Sequence, residues 1–269
     1  MPTSPDPAGT PAIAVRDLEK IFEARSGDRV TALDRISLEV RREEFASVVG
    51  PSGCGKSTLL KIVAGLIAPT RGAVAVNGTA VRGPLEDIGI AFQSPVLLPW
   101  KTILHNVLFP IKILRRDVGA HREAAIGLLK LAGLADVAHR YPNELSGGMQ
   151  QRAALCRALV HDPALLLMDE PFGALDAMTR DDMNVELLRI WSERRKTVLF
   201  ITHSISEAVF LSDTVVVMTP RPGRIDSVIP IDLPRPREIG IRDSKHFGEL
   251  QHRVRERIYA GRAPGAGGD

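Results

Sequence analysis

The apolar run Phe45-Ala46-Ser47-Val48-Val49 passes directly into Gly50-Pro51-Ser52-Gly53-Cys54-Gly55-Lys56-Ser57, and Thr58-Leu59-Leu60-Lys61-Ile62-Val63 continues with helical apolar spacing. A buried strand, a glycine-rich turn and a helix in that order constrain the fold to an α/β sheet with ligands at the strand tips. Gly50, Gly53 and Gly55 allow the backbone to curl so that its N–H groups face a phosphate chain, and the helix adds its positive N-terminal end. Lys56 supplies a point charge to the same oxygens, and the Ser57 hydroxyl is placed to ligate Mg²⁺.

A phosphate loop needs a metal carboxylate and a group that activates water. The continuous apolar run Ala164-Leu165-Leu166-Leu167-Met168 reads as a buried strand and ends in Asp169-Glu170-Pro171. Asp169 is expected to hold Mg²⁺ through its water shell, and Glu170 to accept a proton from the attacking water or orient it. Two more apolar strands end in polar residues: Ile88-Gly89-Ile90-Ala91-Phe92 in Gln93, and Val198-Leu199-Phe200-Ile201-Thr202 in His203. In a parallel sheet these tips share one edge, so Gln93, Asp169, Glu170 and His203 form a candidate γ-phosphate sensor. Gln93 or His203 alone is weak evidence, since a lone His at a strand end is more often an ordinary hydrogen-bonded residue than a catalytic one.

Residues 145–152 read Leu-Ser-Gly-Gly-Met-Gln-Gln-Arg. A Ser-Gly-Gly turn that opens a helix is itself a phosphate-binding device. One chain rarely needs two such devices for one γ-phosphate, so a dimer is the economical arrangement.

The formal net charge is +3, and acids are interspersed among the arginines at 221, 224, 235, 237, 242, 253, 255, 257 and 262. That pattern reads as a solvated face and gives no nucleic-acid stripe; attraction to anionic lipid headgroups is the alternative. Cys54 lies in the phosphate loop and Cys156 on the helix after residue 147, placements that suit reduced thiols. No apolar run approaches the roughly 18 residues of a membrane-spanning helix. The prolines at 2, 5, 7 and 11 do not resemble a signal peptide, and a cytosolic location is expected.

In this order the motifs resemble the ATP-binding cassette (ABC) family, specifically the stand-alone ATPase subunits of bacterial importers, over residues 13–258. The resemblance implies a P-loop NTPase fold with a mostly parallel core sheet, an N-terminal antiparallel β subdomain and an inserted helical subdomain. It implies ATP and Mg²⁺ as ligands, with Phe22 stacking on adenine where the family more often has Tyr. Gly50, Pro51, Ser52, Gly53, Cys54, Gly55, Lys56, Ser57 and Thr58 correspond to the Walker A segment and Gln93 to the Q-loop. Ser146, Gly147, Gly148 and Gln150 belong to the signature, Asp169 to Walker B, Ala174-Leu175-Asp176 to the D-loop, and His203 is the switch histidine. By the same resemblance Lys56, Gln93, Glu170 and His203 are catalytic, and Ser57, Gln93 and Asp169 serve the metal. Two copies would face each other head to tail, Ser146, Gly147 and Gly148 of one completing the ATP site of the other and Asp176 linking the two.

Further expectations concern organisation. Residues 1–11 read as a flexible arm, 12–258 as one nucleotide-binding domain and 259–269 as a flexible tail, with strands at 13–22 and 30–40 over the base and a helical insertion at 94–161. Core strands are expected at 45–49, 88–92, 164–169, 198–202 and 214–218. Ser204 is placed to cap the helix through Leu211, with Glu207 at the capping-box position. Pro222-Gly223 reads as the centre of a type II turn, and Phe247, Leu250, Val254 and Ile258 share one face of a final helix that docks on its own core. Two prolines exclude regular helix in Ser94-Pro95-Val96-Leu97-Leu98-Pro99-Trp100. Its apolar side chains either pack within the helical insertion or, as the resemblance implies, receive a membrane permease, with Trp100 as anchor.

The string from Met218 to Arg237 resembles the subgroup serving nitrate, sulfonate, taurine, bicarbonate and pyrimidine-precursor importers. It implies a periplasmic or lipid-anchored solute-binding protein in the same system and a place at the cytoplasmic face of the cell membrane. The alternatives are an ABC ATPase that works away from membranes and the motor of an exporter. An ordinary phosphate-loop kinase would lack the signature, and a GTPase would carry an Asn-Lys-x-Asp that this chain does not have.

Overall fold

The computed structural model describes residues 9–23, 27–173, 175–193 and 195–260. Residues 1–8 of the expected arm, 261–269 of the expected tail and Ala174 of the D-loop lie outside them.

Two sheets carry the fold. Strands β1 (Ile13–Glu23), β2 (Arg29–Val40), β4 (Arg71–Val76) and β5 (Thr79–Ala80) form an antiparallel sheet in the order β2-β1-β4-β5. The second sheet has the order β10-β9-β3-β8-β7-β6, from β3 (Phe45–Val49), β6 (Ile88–Ala91), β7 (Leu165–Asp169), β8 (Thr197–Ile201), β9 (Thr214–Met218) and β10 (Ile225–Pro230). Its members from β9 to β6 are parallel, and β10 closes the edge antiparallel to β9.

The central strands are predominantly apolar because both faces of the sheet are covered. Phe45, Val49, Leu166, Met168, Val198, Phe200, Val215 and Val217 point into one core. Their alternate neighbours Ala46, Val48, Leu165, Leu167, Leu199, Ile201, Val216 and Met218 point into the other. Helices α6 (Ala177–Glu193), α7 (Ile205–Leu211) and α8 (Lys245–Ala260) supply the first core through Leu187, Trp191, Phe210, Phe247, Leu250 and Val254. Ile258 packs against its margin, and α8 extends two residues into the stretch expected as tail. Helix α1 (Lys56–Val63) and the antiparallel sheet supply the second core.

Between β6 and β7 lie α2 (Ile103–Val107), α3 (Phe109–Ile113), α4 (Val118–Leu131) and α5 (Gly147–Leu159), which share a third core of their own. The stretch from Ser94 to Trp100 has no regular secondary structure. Leu97 packs against the third core, while Val96 and Trp100 are exposed, Trp100 by 71%.

Candidate functional site: a phosphate loop facing a Gln-Glu-His cluster

Strand β3 delivers the chain to Gly50 from the interior of the sheet, and α1 starts only six residues later. That reversal needs left-handed backbone at Gly53 (φ 74°) and Gly55 (φ 102°). A side chain on Gly55 would also collide with Leu33, whose Cδ2 would stand 2.6 Å from the added Cβ. Lys56 is buried inside the curl, its Nζ donating to the carbonyls of Gly50 (2.9 Å) and Pro51 (3.0 Å). Cys54 packs into the second core with its Sγ 3.9 Å from Lys56 Nζ, and burial pushes its thiol pKa up against the pull of that ammonium.

The carboxylates stand at the tip of β7. Asp169 accepts from the Ser57 hydroxyl at 2.8 Å, tying that tip to the first turn of α1. Burial raises the Asp169 pKa and neighbouring Glu170 adds to the rise, while the Ser57 hydrogen bond opposes it. Glu170 sits at φ 47°, a left-handed conformation that costs a glutamate about 1–3 kcal/mol and tends to mark functional sites. Its Oε2 lies 3.2 Å from His203 Nδ1 and makes a long 3.5 Å contact with Gln93 Nε2. Residues just beyond β6, β7 and β8 thus converge on one carboxylate.

These groups share a cavity of about 430 Å³ whose lining includes Phe22, Ser52, Lys56, Gln93, Glu170 and His203. Ser57 and Thr58 also face it, and Lys20 Nζ lies 5.0 Å from the centre of the Phe22 ring.

Arg221 lines the same cavity and has no counterpart among the residues expected from sequence. The expected type II turn is absent, because Gly223 lacks the positive φ that its third position requires. What demands glycine at 223 is proximity: a Cβ there would lie 2.0 Å from the Cys54 carbonyl oxygen. Gly223 N–H donates to Ala32 O (3.0 Å) and its carbonyl accepts from Asp34 N–H (2.9 Å), so the turn is fastened to β2 and the phosphate loop with Arg221 beside the opening. A Pro-Arg-Pro-Gly string after a strand that neighbours β3 was the available signal; composition alone had placed Arg221 on a solvated face.

Ser146, Gly147, Gly148, Gln150 and Asp176 do not line this cavity. Ser146 is exposed and caps α5, accepting from Met149 N–H at 3.3 Å. Gln150 folds inward and donates to Pro142 O and Leu145 O, so its amide serves its own loop here. Exposed Asp176 accepts from Thr179 N–H at 3.1 Å at the start of α6, and the Thr179 hydroxyl foremost, then that amide, lower its pKa. The expected reciprocal capping box at Ser204 is only half present. Ser204 Oγ accepts from Glu207 N–H, but Ser204 N–H donates to Thr202 Oγ1, and that hydroxyl donates to Glu207 Oε2 at 2.5 Å. A polar residue between Ile201 and His203 intercepts the link.

A phosphate loop on a parallel sheet, with a Glu-Gln-His cluster at its mouth, defines a nucleoside-triphosphate hydrolase of the P-loop class. Residues 33–173 match the family model described as ABC transporter, and the chain belongs to that family, as an ABC-class ATPase. It is 50% identical over 242 residues to an uncharacterized ABC transporter ATP-binding protein of Methanocaldococcus jannaschii, covering 90% of this chain and 89% of the relative. A taurine import ATP-binding protein of Rhizobium johnstonii is 44% identical over 244 residues, 89% and 93% of the two chains. Among solved structures, a bacterial ABC transporter cassette in dimeric form superposes with a TM-score of 0.75 at 32% identity, over 82% of this chain and 100% of that one. A dimeric post-hydrolysis state of the same cassette, bound to ADP and Pi, gives 0.74 at 31% identity, with the same coverage of both chains.

Proposed function

We propose that this chain is the ATP-hydrolysing motor of an importer for a small solute of the nitrate, sulfonate or taurine type, acting through a separate membrane permease. The carrying observation is the division of the phosphate-binding groups: Lys56, Ser57, Glu170 and His203 share one cavity, while the helix start at Ser146-Gly147-Gly148 lies outside it, with Ser146 and Gly147 exposed. Each set is half of an ATP site, which supports a head-to-tail dimer with two shared sites; the dimeric neighbours support the same arrangement. The taurine-import relatives support the direction of transport and the solute class.

In such a site Phe22 stacks on the base and the loop amides and Lys56 hold the β- and γ-phosphates. For phosphate oxygens to reach it, the Lys56 ammonium exchanges the Gly50 and Pro51 carbonyls for them. Arg221 reaches the nucleotide from the side of Gly53. Glu170 orients the attacking water, and His203 contacts the γ-phosphate while steadying the Glu170 carboxylate. Ser57 and Asp169 place two hard oxygen donors side by side, a set that fits Mg²⁺. Bound there with Gln93, the metal would neutralise charge developing on the β- and γ-oxygens. Release of the γ-phosphate removes the preference of ATP for the closed dimer, which lets it open.

In this reading the permease docks at the groove of about 550 Å³ lined by Trp100, Lys101, His105, Phe109, Lys112 and Tyr141, which Trp100 joins to the segment that follows Gln93 in sequence. Trp100 and Tyr141 are both exposed there, as aromatic anchors awaiting a partner are. Gln93, which lines the nucleotide cavity and precedes the segment leading to Trp100, would carry motion between them. No helix among the described residues is long and apolar enough to cross a membrane, and the motor is assigned to the cytoplasmic face of the cell membrane as a peripheral subunit. A solute-binding protein outside the membrane completes the system.

The test is purification of tagged Glu170→Gln chain from native membranes in detergent with Mg-ATP. The variant is expected to bind ATP, lose at least about 100-fold in kcat and bring down a multi-span permease. Recovery of a dimer with only soluble or nucleic-acid partners would move the protein to the membrane-free ABC class, and a permease lacking any solute-binding protein would favour export.

A further inference from the structure

Glu207 is a buried acid for which hydrolysis has no use. It lies in α7, four residues after His203, with only 5% of its surface exposed, and burial raises its pKa against the pull of Thr202 and Arg180. Its two oxygens serve different elements. Oε2 receives the Thr202 hydroxyl, whose oxygen accepts from Ser204 N–H, so both neighbours of His203 in sequence are held by one carboxylate. Oε1 forms an ion pair with Arg180 of α6, its Nε 3.5 Å away and buried without a hydrogen bond of its own. The far end of the same guanidinium, Nη2, donates to the Leu175 carbonyl at 2.8 Å, immediately before Asp176. The Leu175 side chain in turn packs against Gly148, where an added Cβ would lie 3.3 Å from its Cδ2.

We propose that the Arg180–Glu207 bridge positions His203, fixing its loop relative to the Leu175-Asp176 segment and the start of the Ser146 helix. Resting on the dimeric reading above, the bridge gives each nucleotide site a rigid connection to the surface that serves the opposite site. A fork is required for this: one guanidinium spans a carbonyl and a carboxylate, whereas an ammonium of the same charge reaches one of them at a time. Glu207 is a positioning residue in this scheme and touches no nucleotide.

The experiment is a double-mutant cycle on the full-length chain with Arg180→Met, Glu207→Gln and their combination, reading kcat, KM for Mg-ATP and melting temperature. Each single variant is expected to lower kcat about 10-fold with KM within about twofold of the parent, and the double variant to lose no more than either. Arg180→Lys, on a partly exposed side chain, is expected to share the loss, and Thr202→Ser, which keeps the hydroxyl, to retain the parent kcat. Unchanged kcat in the single variants, a roughly 100-fold loss in the double, or full activity in Arg180→Lys would overturn the bridge. So would a fall in kcat that simply follows the melting temperature. Glu170→Gln is assayed alongside. If that variant turns over like the parent, the catalytic reading fails first; if only the bridge variants do, the bridge fails alone.

Discussion

At the scale of single residues, the site is a set of polar groups held by their neighbours before any nucleotide arrives. Lys56 is held by two carbonyls of its own loop, Ser57 by Asp169, and Glu170 by His203 and Gln93. For Glu170 such prior positioning reduces what the transition state must reorganise, whereas Lys56 must first exchange its loop carbonyls for phosphate oxygens. Arg221 is the residue whose place depends most on tertiary structure, and it gives the sharpest local prediction. Arg221→Ala is expected to raise the Kd for ATP about 10-fold, roughly 1.4 kcal/mol, while leaving kcat at saturating ATP within about twofold; titration with a fluorescent nucleotide checks it. Unaltered affinity would return Arg221 to the solvated face. Its role was invisible in composition because the reach of an arginine depends on the turn that carries it, and that turn is set by Gly223 lying against Cys54.

At the scale of elements, β3, β7 and β8 were readable because short, mostly apolar runs suit a strand covered on both faces. The face of α8 was equally readable from the spacing of Phe247, Leu250 and Val254, all buried as that spacing requires. Phe247→Ala is expected to lower unfolding stability by about 3–5 kcal/mol, measurable by chemical denaturation, since the helix docks on a core shared with Phe210. Turn chemistry was less legible. Pro-Gly has a local preference for type II geometry, and close packing on the phosphate loop overrides it. The cysteines belong to elements too: burial raises Cys54 and lifts Cys156 in α5 to about 12. For Cys156 that leaves on the order of one thiolate in ten thousand at pH 8. Neither thiol should react with maleimide in the native chain, and both should after denaturation. Mass spectrometry distinguishes the two results, and native labelling of either would contradict the buried placement.

For the whole molecule, the cavity holding Lys56 and the exposed Ser146 cap are separate parts of one chain, and the proposed dimer unites them across an interface. Mixed dimers test this. With Ser146→Arg in one subunit and Lys56→Ala in the other, both changes fall on the same shared site and the second site stays intact. About half of the parent activity should survive, whereas placing both changes in one subunit damages both sites and should leave almost none. Equal losses in the two arrangements would exclude a site shared in this way. The phosphate loop, the strands around it and the candidate catalytic residues were determined by the sequence alone, because strand and helix periodicity and the chemistry of a glycine loop are local properties of the chain. Tertiary structure decided the entry of Arg221 into the cavity, the inward fold of Gln150, the relay through Thr202 and the Arg180–Glu207 bridge. Those contacts join residues that packing brings together from different elements, and no local preference in either segment specifies its partner.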